Sequence, residues 1–321
     1  MSFTHLTNSD RARIAALKRA GLNQLEIARQ LGKNHTTIGR ELRRNKTGRS
    51  TYNARTAQQK AAARRLAANQ RFRKLLPGTS LAKYVIRRLK RYWSPEQIAG
   101  RLQYETGRRI VGLGTIYAYS LAHPRLKQYL RRLKPYRRHW GTKKREQIRD
   151  ATSKRWIDER PEAANDRTRL GDWEGDTVVG KPGRDRLLTY TDRLSGKAQA
   201  LKVPGGNGLA EAIANQTVAW FQKLPKAKRH TLTYDNGTEF SDHEYVEDHA
   251  ALQVYFAHPY HSWERGTNEN TNGLYRQFFP KKADLNPVSQ REVDRATKLL
   301  NTRPRKRHQY RTPDEVFRSG K

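Results

Sequence analysis

Apolar residues recur at helical spacing through the first 45 positions and at strand spacing after about residue 168, and this change of period divides the chain. Thr7-Asn-Ser-Asp10 offers caps for a first helix with Ile14, Ala15 and Leu17 facing inward, and Gly21 ends it. Asn23 to Leu31 predicts a short second helix that buries Leu25, Ile27 or Ala28, and Leu31. After the turn Gly32-Lys-Asn34, residues His35 to Asn45 predict a third, with Ile38 and Leu42 four apart on its inner face. Two helices, a glycine turn and a basic third helix make the pattern of a helix-turn-helix. The outer positions His35, Thr36, Thr37 and Arg40 would then enter a DNA major groove, with Arg43 and Arg44 nearer phosphate.

Residues 50–75 are rich in Ala, Arg and Gln and read as helix without a fixed apolar face. A second module follows. Leu81 to Tyr92 predicts a helix, and Ser94 with Pro95 caps another through Leu102. Val111-Gly-Leu-Gly-Thr-Ile-Tyr117 predicts a third that starts near Gly114, with Thr115 facing DNA. The basic run 131–145, broken by Pro135, is either a linker or a strap along DNA, the second role resting on residues such as Arg137 and Arg138.

From about 168 onward, Trp173–Gly180, Arg186–Asp192 and Lys197–Val203 read as short strands between Gly, Pro and Asp turns. A helix over Gly208–Leu224, a strand over His230–Asp235, a short helix capped by Ser241, a strand over Leu252–Ala257 and a helix near Gly266 follow. That order belongs to ribonuclease-H-like α/β domains, and pattern alone also allows other α/β sandwiches. Two further helices are predicted over Val288–Leu300 and Thr312–Phe317.

Composition changes the picture in two ways. The net charge is +36, and residues 1–150 hold 37 Lys and Arg against 7 Asp and Glu, where residues 151–321 hold 29 against 23. A field of that kind attracts phosphate polymers and makes the first half the binding apparatus. Cysteine is absent, which excludes disulfides, Cys-based zinc sites and a cysteine nucleophile. The opening residues lack the apolar core of a signal peptide and no segment reaches the ~20 apolar residues of a membrane span. The expected location is therefore the cytoplasm, or wherever its DNA lies.

Among 30 acidic residues, three stand in unusual settings. Asp176, in Gly171-Asp-Trp-Glu-Gly-Asp-Thr-Val-Val-Gly180, enters an otherwise apolar strand. Asp235 ends a strand and precedes Asn-Gly, a sharp turn that can present a carboxylate at a sheet edge. Glu269 lies in Arg265-Gly-Thr-Asn-Glu-Asn-Thr-Asn272, a polar composition suited to a helix facing metal and nucleic acid. Alternation does not choose among Asp172, Glu174 and Asp176. Glu264 is about 140° around a helix from Glu269, so only one of them can face a given metal. Carboxylates from two strand ends and a helix can hold two divalent cations against a phosphodiester.

The three segments around these carboxylates, together with Asn23–Asn45 and Tyr92-Trp-Ser-Pro-Glu-Gln-Ile-Ala, closely resemble the IS30 family of bacterial insertion-sequence transposases over nearly the whole chain. The resemblance implies that Asp176, Asp235 and Glu269 are the DDE catalytic metal ligands. It implies a ribonuclease-H-like integrase core, two Mg²⁺ or Mn²⁺ per active site, and double-stranded DNA partners, both terminal inverted repeats and target. A circular or abutted-end intermediate and a bacterial, nucleoid-associated location belong to the same implication. The second module departs from the family pattern at Val111-Gly-Leu-Gly114, where a polar stretch such as Ser-His-Glu would precede Thr-Ile-Tyr.

The expected fold class is multi-domain, with all-α helix-turn-helix modules before an α/β ribonuclease-H-like catalytic domain. The expected parts are a helix-turn-helix domain (1–49), a basic helical linker (50–80), a second helical DNA-binding domain (81–135), a basic linker (136–167) and the catalytic domain with C-terminal helices (168–321). His261, Trp263 and Arg265, just before Glu269, are candidates to position substrate, against a plain structural role at a helix start. Pairing two DNA ends calls for a homodimer or a larger synaptic complex. The rival from another class is a non-catalytic helix-turn-helix repressor derived from a transposase.

Overall fold

The structure, a computed structural model, describes residues 5–47, 51–70, 74–130, 154–259 and 261–320. Its contacts divide the chain into two units, residues 1–76 and 77–321.

In the first unit, α1 (Asn8–Arg19), α2 (Gln24–Leu31) and α3 (His35–Arg44) are followed by a two-stranded ribbon of β1 (Lys46–Thr47) and β2 (Thr51–Tyr52), then by α4 (Ala54–Gln70). Local chemistry sets each boundary. Thr7 with Asp10 and Asn23 with Glu26 form reciprocal caps on α1 and α2. Gly32 ends α2 at φ 59°, a left-handed conformation that favours glycine. Leu6, Ile14, Ile27, Ala28 and Ile38 are the buried centre, and Leu25, expected inside, is exposed. A side chain at Gly39 would strike Gln24, whose amide donates to the His35 carbonyl, so the glycine permits close approach of α2 and α3. Beneath this apolar cluster lies a polar one. Arg11 and Glu41 pair at 2.7 Å almost without solvent access, and Gln58 and the Tyr52 hydroxyl complete the set. It ties α1, α3, β2 and α4 together. The expected faceless helix at 50–75 thus does have a face, with Ala57 and Ala61 buried four residues apart. Alanine hides such a face from a reading of large apolar residues.

The second unit begins with α5 (Ser80–Leu89), α6 (Pro95–Thr106), α7 (Leu113–Ala122) and the short α8 (Pro124–Lys127). Ala82, Val85, Leu89, Trp93, Ile98, Leu102, Val111 and Ile116 are buried. Ser94 and Gln97 cap α6 reciprocally, with Pro95 in its first turn. Arg101 reaches Glu315 through two hydrogen bonds of 2.7 Å, and Gly100 leaves room for the Tyr310 ring. Those contacts fasten α6 to the C-terminal segment.

After α9 (Glu162–Asn165) comes a five-stranded sheet. Its strands are β3 (Asp172–Val179), β4 (Arg186–Asp192), β5 (Ala198–Val203), β6 (Thr231–Tyr234) and β7 (Gln253–Phe256), in the order β5-β4-β3-β6-β7. The three hairpin-connected strands are antiparallel, and β6 and β7 add in parallel beside β3. The crossovers are α10 (Leu209–Phe221) and α11 (His243–Ala250). Ser241 does not cap α11. Asp242 precedes it, and the Ser241 hydroxyl donates to Asp242. Beyond β7 come α12 (Gly266–Tyr275), α13 (Gln290–Asn301) and α14 (Pro313–Ser319).

Helices cover both faces of the sheet. Trp173, Leu188, Tyr190, Leu232 and Tyr234 pack with Ile213, Val218 and Phe221 on one side. Val178, Leu187, Ala198 and Ala200 meet Leu274, Tyr275, Val293 and Leu300 on the other. Burial of each large side chain stabilises by about 2–3 kcal/mol. Odd and even positions of β3 therefore face different helices. Gly175 takes the α10-side position beneath Tyr234, whose ring would lie 2.4 Å from any added Cβ. No helix among the described residues is long and apolar enough to cross a membrane.

Candidate active site

Alternation along β3 sends Asp172, Glu174, Asp176 and Val178 toward the α12 side, and burial then separates the three acids. Asp172 is inaccessible and bound by the Arg169 guanidinium (2.9 and 3.1 Å) and the Thr231 hydroxyl (2.9 Å). Glu174 is equally buried. One oxygen pairs with Arg193, and the other accepts the Asn268 amide at 2.8 Å in the first turn of α12. A carboxylate there satisfies a free amide and meets the positive end of the helix. Both acids are therefore committed to holding structure. Asp176, two residues further, lies mid-strand and not at the expected strand end, just past the last β3 residue that pairs with β6, and its side chain is 24% exposed.

Asp235 follows β6, and its Oδ1 accepts the Gly237 amide at 3.1 Å, the turn expected from Asn-Gly. β6 lies beside β3 in parallel, in a register that carries Asp235 alongside Asp176. Arg265 joins them. Its guanidinium lies 2.9 Å from Asp235 Oδ2 and 3.7 Å from Asp176 Oδ2, and it donates to the Gly175 carbonyl at 3.1 Å. Asn272 donates to Asp176 Oδ2 at 2.9 Å, and the Thr177 amide donates to Oδ1 at 2.7 Å. Burial pushes the Asp176 carboxyl up to about 6, against the pull of Arg265, and the Asp235 charge adds to the rise.

Glu269 is exposed on α12, three residues before Asn272 and so on the same side of the helix. The polar composition of α12 has a second use that its sequence does not reveal. Asn268 accepts from Thr191 and Asn272 from Thr189, each at 2.9 Å, so two asparagines dock the helix on a threonine-lined sheet. Glu264 binds the amide and ring of His258. His261 accompanies it, with Nδ1 3.7 Å from Glu264. The Trp263 side chain lies outside the described residues, as do Arg137 and Arg138. Asp176, Asp235 and Glu269 do not converge tightly enough to wrap one ion, a closeness that among the described residues only His258, His261 and Glu264 reach.

Cations surround the pair. Lys154 bonds Asn236 at 3.3 Å and feels the Asp235 charge, and Arg276, held by the Val179 carbonyl at 2.9 Å, feels Asp176. Burial lowers the pKa of both. Neither was singled out in the sequence. Arg276 follows the polar run by one turn, the only signal available for it, and Lys154 lies within a stretch read as linker.

The comparisons with known proteins bear on the whole chain. Residues 2–45 match a family model described as a helix-turn-helix domain. The transposase for insertion sequence element IS4351 of Bacteroides fragilis is 38% identical, covering 98% of this chain and 95% of its own. The transposase for IS1086 of Cupriavidus metallidurans is 36% identical over 98% and 94%. Transposase InsI for IS30C of Escherichia coli K12 is 36% identical over 98% and 84%. The chain belongs to the IS30 family of insertion-sequence transposases.

In this IS30-family chain the helix-turn-helix presents the expected α3 surface. His35, Thr36, Arg40, Arg43 and Arg44 are exposed and Thr37 half-buried. The Thr36 hydroxyl is already engaged, donating to Asn34 at 2.8 Å within the cap of α3. Thr115 is exposed on α7, yet Leu113, Tyr117 and Leu121, four apart, give that helix an apolar exposed stripe.

Proposed function

We propose that the chain is a DDE transposase that binds the terminal inverted repeats of its element and cleaves and joins DNA strands, with Asp176, Asp235 and Glu269 as catalytic residues. The observation that carries this reading is the convergence of Asp176 and Asp235 on one guanidinium where β6 ends beside the middle of β3. Glu269 stands on the helix that Asn272 and Glu174 pin against those strands. The order of strands and helices supports a ribonuclease-H-like catalytic domain over 168–321. Residues 1–49 and 81–135 would be the DNA-binding domains, joined by basic linkers at 50–80 and 136–167.

The donor set suits Mg²⁺ or Mn²⁺, which take oxygen ligands. Two half-exposed carboxylates whose mutual repulsion is answered by one arginine have the charge to hold such ions, and Glu269 is solvent-facing and able to complete the set. When bound, two ions would activate the attacking water or 3′-hydroxyl and stabilise the departing oxygen. The chain's own groups do the rest. Asn272 and the Thr177 amide orient the Asp176 carboxylate. Arg265 balances the two carboxylates, Lys154 and Arg276 supply positive charge beside them for phosphate, and Glu174 holds α12 in register through Asn268. The basic helices supply salt-sensitive affinity for the duplex, which positions the repeat end. Two such ends demand a dimer or a larger assembly.

The test uses labelled duplexes bearing the element's terminal repeat, with Mg²⁺ or Mn²⁺, for the wild type beside Asp176→Asn. Metal-dependent nicking at the repeat end that vanishes in the variant while binding persists is the expected outcome. Repeat binding without cleavage under either metal would overturn the enzyme and leave the repressor.

A further inference from the structure

Between β7 and α12 the chain places His258, His261 and Glu264 at intervals of three. Residues Ser262–Arg265 form a 3₁₀ turn, a helix of three residues per turn in which positions i and i+3 eclipse. His261 and Glu264 are therefore stacked along one edge, and His258 extends the row. Glu264 Oε1 lies 3.1 Å from Nδ1 of His258 and 3.7 Å from Nδ1 of His261, and the three donor atoms fall within 4.8 Å of one another. Two metal–ligand bonds of 2.0–2.1 Å at a tetrahedral angle set their ligands about 3.3 Å apart, and these spacings bracket that value.

The surroundings also suit a metal. The other Glu264 oxygen accepts the His258 amide at 2.9 Å, which aims Oε1 at the imidazoles. Nε2 of His258 lies 2.9 Å from Asp158, so His258 can present Nδ1 to an ion while donating its other proton to a carboxylate. The Trp156 ring stacks on His258 at 5.5 Å and 3°, fixing its plane. The side chains of His258 and His261 are 30% and 43% exposed, so the row lies near the surface, within reach of an ion from solvent.

We infer that His258, His261 and Glu264 form a binding site for a borderline divalent cation of the zinc class, separate from the Asp176–Asp235 pair. Two imidazoles and one carboxylate select zinc over magnesium, where the all-oxygen acid set does the reverse. The site would act as a clip. Glu264 precedes Arg265, which bridges the acid pair, and the same turn leads into α12, so a cation here locks the approach of the helix that carries Glu269. The inference stands on the three donors and not on the catalytic reading.

The full chain carrying Asp176→Asn, stripped of metal, would be titrated with Zn²⁺ by calorimetry and with Co²⁺ by visible absorption. One equivalent of Zn²⁺ at micromolar affinity or tighter, with Co²⁺ bands of a four- or five-coordinate ion and a rise in Tm on zinc addition, is expected. His261→Ala should weaken binding at least about 100-fold and abolish the Tm rise while matching the parent in chelator. Asp158→Asn, at an exposed edge that does not threaten folding, should weaken it about tenfold, the scale of a lost outer hydrogen bond to a metal-bound histidine. A parent that binds no zinc overturns the site, and so does unchanged binding in both variants. If His261→Ala fails to fold, Asp158→Asn and Glu264→Gln decide by the same titration.

Discussion

The two units bury charge for different ends. In the amino-terminal unit, Arg11 and Glu41 form a closed pair whose donors and acceptors all find protein partners, and the pair fastens four elements. Where β6 ends beside β3, two carboxylates share Arg265 and retain access to solvent, and burial with mutual repulsion holds the Asp176 carboxyl at about 6. A satisfied buried pair specifies a structure. An unbalanced set of like charges stores an attraction for cations that structure alone would not require.

Substitution should separate these roles sharply. Asp176→Asn should lower repeat-end cleavage on the order of 10³-fold, the scale of losing one electrostatic stabiliser of a transition state. It should also raise Tm in chelator, because a neutral amide removes a half-buried charge beside Asp235. A lower Tm together with lost cleavage would make Asp176 structural and erase the contrast. Glu41→Ala should do the opposite, leaving Arg11 buried and alone at a cost of about 3–5 kcal/mol. Denaturation should show the amino-terminal unit melting early, with repeat binding lost and Mn²⁺-dependent nicking of non-specific duplex retained.

A third test concerns pH in the second unit. Burial first, and then the neighbouring Arg307, pushes the His308 imidazole down to about 4 from its ordinary 6.5. Its folded pKa lies below its unfolded one, so the protonated form disfavours the fold. Stability is then complete above about pH 6.5 and falls as pH drops toward 4. Discounted for partial exposure, the loss is about 1–2 kcal/mol by pH 4. His308→Gln should flatten that stretch of the stability–pH curve, and an unchanged slope would remove His308 as its cause. The smallest effects should sharpen the comparison between helices α3 and α7. Arg40→Ala should weaken repeat binding by about 1–2 kcal/mol in a gel-shift titration. Thr115→Ala, beside the apolar stripe of Leu113, Tyr117 and Leu121, should stay within about 0.5 kcal/mol.

Much of this was legible along the chain, for identifiable reasons. The caps Thr7 and Ser94 act within three residues of themselves, and five strand-like runs became five strands, none with an end shifted by more than one position. Signals failed where the partner was distant or the side chain small. The face of α4 was missed because it is built from alanines. The asparagines of α12 read as ligand-facing, and two of them dock on Thr189 and Thr191, about eighty positions away. Ser241 looked like a cap because serine usually is one, and the chain turns one residue later.

Sequence by itself determined the period of most segments, the helix-turn-helix, the basic first half, and the presence of acids in and just after the strands. These depend on residues within one or two turns of each other, or on totals that no fold alters. Tertiary structure alone decided which acid does what. Asp172, Glu174 and Asp176 share one face of one strand and differ only in what lies above them: Arg169 and Thr231, Arg193 and the Asn268 amide, or Asn272, Arg265 and solvent. Alternation assigns a side chain to a face, and only packing from other elements assigns it a partner and an exposure, which set its charge and its chemistry.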